Sequence, residues 1–193
     1  MQRKVKSISI TDKLKRGISR IWLKEIQALY NEGNICSESH FKSLFFALLV
    51  KKFTPKDLFR VWVEPGLPAW DNISFNLLIS FQYKIIAAAE LKYIPHGFPR
   101  YENNFMKFEK IRANFNQPVY LKTNPLTGQA DMHSIYAFDE QCLFIFAAIA
   151  RYNSDAFQDT SWEQLEGNKL MLIGRIDSPD VKLFEVSPEF GKK

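Results

Sequence analysis

The chain has 193 residues, 46% hydrophobic and 24% charged, with a formal net charge of +5. That length suits one well-packed domain, and the composition is neither that of a disordered chain nor that of a membrane chain. No apolar run reaches the roughly 18 residues a membrane helix needs, so a protein of the cytoplasm with no membrane segment is expected.

A first helix is expected over 12–32, where Leu14, Ile18, Ile21, Trp22, Ile26 and Leu29 follow a helical period and Gly33-Asn34 stops it. A second follows the N-cap Ser37, with Phe41, Leu44, Phe45, Leu48 and Leu49 on one stripe and Glu38 at its head. Residues 58–64 read as a short strand and 65–68 as a turn. Two extended runs, 73–81 and 84–94, are joined around Gln82-Tyr83. The second run is apolar enough for a central strand covered on both faces. Within it, Ala87, Ala88 and Ala89 leave room for a helix to approach closely.

A helix over 101–115 carries Phe105, Phe108, Ile111 or Arg112, and Phe115 at the core period, with Lys107, Lys110 and Arg112 on its exposed side. Residues 134–138 and 142–150 read as strands, although Ala147 and Ala148 leave a helix open over 143–151. A hairpin of 169–176 and 181–186 turns at Ser178-Pro179-Asp180, and a frayed tail follows from 188. The order gives an α/β fold in a single domain, 1–193, layered around a mixed sheet. Its core spans 35–150, a basic N-terminal helix occupies 1–34, and a C-terminal hairpin extension occupies 151–193.

Charge is unevenly spread: through Lys24 there are eight Lys or Arg and one acid, Asp12. Such a balance favours polyanion partners. Cys36 and Cys142 are too few for a disulfide framework or a zinc site, and Cys142, in an apolar run, reads as a buried thiol. The glycine and serine motifs of phosphate-binding loops, dinucleotide folds and serine hydrolases are missing.

Strand side chains alternate between faces, so Glu90 and Lys92 project from the same side of one strand. With Glu38 on the preceding helix and Asp71 19 positions before Glu90, they form a helix acid, an Asp and a Glu-x-Lys after a hairpin. In that order the residues resemble the restriction-endonuclease-like PD-(D/E)XK nuclease superfamily over residues 35–150. The resemblance implies an αβββαβ core and Mg²⁺-dependent hydrolysis of DNA phosphodiester bonds, with Mn²⁺ as a substitute. Asp71, Glu90 and the Leu91 carbonyl would then hold the metal. Lys92 would orient the attacking water, and Glu38 would hold an outer-sphere water or a second ion.

Under the same resemblance, Arg100, Lys107, Lys110 and Arg112 would touch DNA phosphates, and two-strand cleavage would favour a homodimer. The chain departs from the pattern in having Trp70 before Asp71 and Asn72 after it, and Glu64 is a rival for the second ligand. Two alternatives stay open. One is a catalytically inactive member of the same fold that binds nucleic acid or protein as a subunit. The other is an α/β protein in which Glu90 and Lys92 form a plain ion pair.

Overall fold

The computed structural model describes residues 9–53, 58–71, 73–95, 102–121, 134–151, 160–178 and 181–186. Helix α1 (Ile10–Arg20) is capped by Ser9, whose hydroxyl accepts the Asp12 N–H. It runs through a π-helical segment (Ile21–Ile26) into α2 (Gln27–Asn31). The expected helix over 12–32 is therefore one rod with a wide turn inside it. Gly33 closes the rod at φ 79°, a conformation glycine adopts without a Cβ clash. Helix α3 (Glu38–Lys52) follows, its Ser37 cap accepting the His40 N–H.

The chain continues through β1 (Phe59–Val63), β2 (Gly66–Leu67), a 3₁₀ turn (Pro68–Trp70), β3 (Ile73–Ser74), β4 (Leu77–Phe81) and β5 (Lys84–Ile94). After these come α4 (Glu102–Arg112), β6 (Pro118–Val119), β7 (Tyr136–Arg151), α5 (Thr160–Gln164), β8 (Asn168–Ser178) and β9 (Val181–Val186). The main sheet has the order β1-β4-β5-β7-β8-β9, with β6 beside one end of β7. β1, β4 and β5 form an antiparallel meander, β7 lies parallel to β5 and β8 parallel to β7, and β9 returns antiparallel.

Helices cover both faces of this mixed sheet. On one face Leu14, Ile18 and Trp22 of the rod and Phe41, Phe45 and Leu49 of α3 pack on Ala87, Ala89, Leu91 and Ile145. On the other, Phe105, Phe108 and Ile111 of α4 and Trp162 of α5 pack on Ala88, Phe144 and Phe146. The alanines of β5 are thus shared between the layers, two toward α3 and one toward α4. Cys142 lies buried in the second layer, where burial pushes its thiol well above the usual range. Among the described residues, no helix is long and apolar enough to cross a membrane.

The expected strand over 73–81 divides in two. β3 pairs with β2 in a separate ladder (Leu67↔Ile73), and the main-sheet strand starts only at Leu77. Between them the Asn76 Oδ1 accepts the Leu91 N–H at 2.6 Å, so a side chain supplies the acceptor that a main-chain carbonyl would have supplied. Conversely, 134–138 and 142–150 merge into β7, and the helical alternative over 143–151 is replaced by a strand paired in parallel on both sides. The helix expected over 101–115 ends at Arg112, with turns running to Asn116 at φ 62°. The C-terminal hairpin continues the main sheet, and the tail from 188 lies outside the described residues.

Candidate functional site

Glu90 is 1% exposed and is the one buried carboxylate among the described residues. It belongs to the β5 face that carries Ala88 and looks toward α4. Its Oε1 accepts the Lys107 ammonium at 2.9 Å, and the same ammonium donates to the Ser74 carbonyl at 2.8 Å. The Lys107 Nζ also sits 5.7 Å from the centre of the Phe75 ring. Burial raises the Glu90 pKa; Lys107, Lys92 and the Asn76 main chain act in the opposite direction. Lys92 is half-buried and close enough to act on Glu90 electrostatically, in keeping with their shared strand face.

Register decides what faces Glu90 from the neighbouring strand. Leu77 pairs with Ala89, so the next position outward sets Asn76 opposite Glu90. Asn76 offers a neutral amide there, and its side-chain oxygen is already committed to the Leu91 N–H.

Asp71 stands elsewhere. It follows the 3₁₀ turn at φ 57°, its side chain is 96% exposed, and its Oδ2 lies 3.4 Å from the Lys110 ammonium. The rival Glu64 follows β1 at φ 45° and pairs with Lys42 of α3 at 2.5 Å. Glu38, half-buried, is the first residue of α3, on the layer opposite α4. Leu91 places its side chain in the α3 layer.

The helix cations were expected on an exposed face, and all are half-buried and committed. Lys107 turns inward to Glu90, Lys110 meets Asp71, and Arg112 bridges Glu109 and Glu166. Arg100 lies outside the described residues.

A divalent ion needs several oxygen donors converging with net negative charge. Glu90, Asp71 and Glu64 each hold a lysine of their own, and an ammonium stands where an ion on Glu90 would bind. Among the described residues no three His, Cys, Asp or Glu lie close enough together to hold a metal. This arrangement does not fit Mg²⁺. What it can do is fix α4 to the sheet through a buried ion pair.

Asn76, Lys107 and Lys42 are the residues that sequence reasoning did not place here. An unbroken hairpin continued from Phe81↔Lys84 would set Phe75 opposite Glu90, and the irregularity between Ile79 and Ser80 moves the partner to Asn76. No family model matches the chain, and neither a curated protein nor a solved structure does.

Proposed function

We propose that this chain is a catalytically silent member of the restriction-endonuclease-like architecture, acting as a binding subunit. The observation that carries the reading is the Lys107 ammonium seated 2.9 Å from Glu90, in place of the cation a nuclease would need there. Asn76 opposite Glu90 supports it, because an amide supplies no charge to a second ligand position. The order α3, an antiparallel β1-β4-β5 meander, α4 and then β7 parallel to β5 is consistent with the αβββαβ core implied by the resemblance.

The test is supercoiled plasmid incubated with the full chain and Mg²⁺ or Mn²⁺. The expected result is no nicking above the buffer control, and no Mn²⁺ binding heat that Glu90→Gln removes. Nicking that disappears in Glu90→Ala and Lys92→Ala would overturn the reading.

That second outcome belongs to a Mg²⁺-dependent DNA nuclease using Asp71, Glu90 and Lys92. It is favoured by Glu90 and Lys92 sharing one strand face at the end of a central strand. It requires Lys107 to leave Glu90 and a second carboxylate to move in.

A further inference from the structure

We infer that the outer face of the N-terminal rod is a docking surface for the phosphate backbone of nucleic acid. Lys13, Arg16, Arg20 and Lys24 are spaced three, four and four residues apart, so each turn of the rod contributes one cation. Leu14, Ile18, Ile21, Trp22 and Ile26 occupy the opposite face and are fully packed against the sheet. The four cations are therefore directed away from the core, and all are exposed.

No side chain of Arg16, Arg20 or Lys24 has an ion pair or hydrogen bond among the described residues. Lys13 rests beside the Phe59 ring, 5.8 Å from its centre. Lys15 is off the stripe and donates to Asn168 at 3.4 Å. Across 10–31 five basic residues face two acids, Asp12 and Glu25, a local balance of 5 − 2 = +3. The committed cations of α4 make a contrast: there each lysine or arginine already has its carboxylate.

Geometry selects the occupant. Lys13 to Lys24 spans eleven residues, about 16 Å at 1.5 Å per residue. A straight line of cations of that length matches a regular anionic polymer, which in duplex DNA carries one charge per about 1.7 Å of axis. Two of the four are arginines, whose planar forks suit phosphate oxygens. A membrane surface fits less well, because the rod's apolar face is already spent on the core. Its exposed apolar residues, Ile10 and Leu23, stand 13 positions apart and form no inserting face.

The inference deepens the binding-subunit reading by naming a partner class and a surface. The rod packs on the layer opposite Glu90 and α4, so the two proposals can fail separately.

The experiment is fluorescence anisotropy of the full chain with a labelled duplex oligonucleotide in EDTA, titrated between about 50 and 200 mM NaCl. Binding is expected to weaken with salt along a log–log slope of about −3.6, the value for four phosphate contacts. Arg16→Gln/Arg20→Gln should weaken binding at least about tenfold and reduce the slope by about 1.8, whereas Arg16→Lys/Arg20→Lys should retain most of it. Lys84→Gln, which removes an exposed cation off the rod, should bind like the parent, which separates the stripe from net charge alone. A circular-dichroism melt of each variant confirms that it is folded. No binding at low salt, or no change in the Gln variant, would overturn the inference. Equal binding to polyglutamate would reassign the stripe to an acidic protein, and preferential binding to phosphatidylserine vesicles would reassign it to a membrane. Plasmid nicking would remove the silent-subunit reading and leave this result standing.

Discussion

Lys107 and Glu90 join three elements through one ammonium: α4 carries the lysine, β5 the carboxylate, and β3 the Ser74 carbonyl that shares it. The carboxylate side chain is 2% exposed and the lysine 27%, so this contact is shielded far more than a surface ion pair. Removing one partner of such a pair leaves an uncompensated charge. Lys107→Met is expected to cost about 2–4 kcal/mol in urea denaturation at neutral pH. Glu90→Gln/Lys107→Met should cost less than Lys107→Met alone, and the cycle should show positive coupling. A double-variant loss equal to the sum of the two single-variant losses would mean that the pair contributes nothing.

Glu90 also sets a pH dependence whose sign follows from burial. Its carboxyl is raised above the ordinary range by desolvation, even with Lys107 and Lys92 opposing. A raised carboxyl binds a proton more tightly folded than unfolded. Its stabilising contribution is therefore full below the unfolded pKa and is lost as pH rises through the folded value. Thermal melts from acid to neutral pH should show this loss in the parent and lack it in Glu90→Gln. If the two profiles run parallel, burial does not control Glu90.

Asn76 offers a direct test of whether this corner can hold a metal ion. Asn76→Asp would set a carboxylate opposite Glu90 across neighbouring strands. Like charges at that separation raise both pKa values and destabilise the metal-free chain. A divalent cation relieves the repulsion, so the variant should gain a melting-temperature increase with Mn²⁺ that the parent lacks. Adding Lys107→Met should enlarge the increase, because the competing ammonium is then gone. A variant indifferent to Mn²⁺ would show that this corner cannot hold an ion even with two acids.

Sequence patterns located the layers better than the contacts within the site. The stripes of Leu14, Ile18 and Trp22 and of Phe41, Phe45 and Leu49 do face one side of the sheet. β5 over 84–94 matches its expected extent, α3 starts after its expected Ser37 cap, and the C-terminal hairpin forms with β8 running Asn168–Ser178, longer than the expected 169–176. Burial leaves such a periodic trace; register does not. A single shift between Ile79 and Ser80 exchanges Phe75 for Asn76 opposite Glu90, and no property of those residues announces it. Lys107 has an exposed position in a helical projection, yet its long stem lets the ammonium reach back to the sheet. Asp71 satisfied a spacing argument, but its left-handed backbone after the Pro68–Trp70 turn directs it to solvent beside Lys110.

The seating of the N-terminal rod depends on one glycine. A Cβ built on Gly17 would lie 2.6 Å from Cζ of Phe53, a ring that packs tilted against Phe59 with 5.4 Å between ring centres. Alanine in a helix interior is ordinarily worth about 1 kcal/mol over glycine. Here that gain meets an aromatic ring with little freedom to withdraw, at the junction of α1, α3 and β1. Overpacking of this kind costs about 1–3 kcal/mol, so Gly17→Ala should be net destabilising in spite of its helix propensity. Gly17→Ala/Phe53→Leu tests the cause, since removal of the ring should make the alanine neutral or favourable relative to Phe53→Leu alone. If alanine destabilises equally in both backgrounds, the close approach to Phe53 is not what requires glycine at this position.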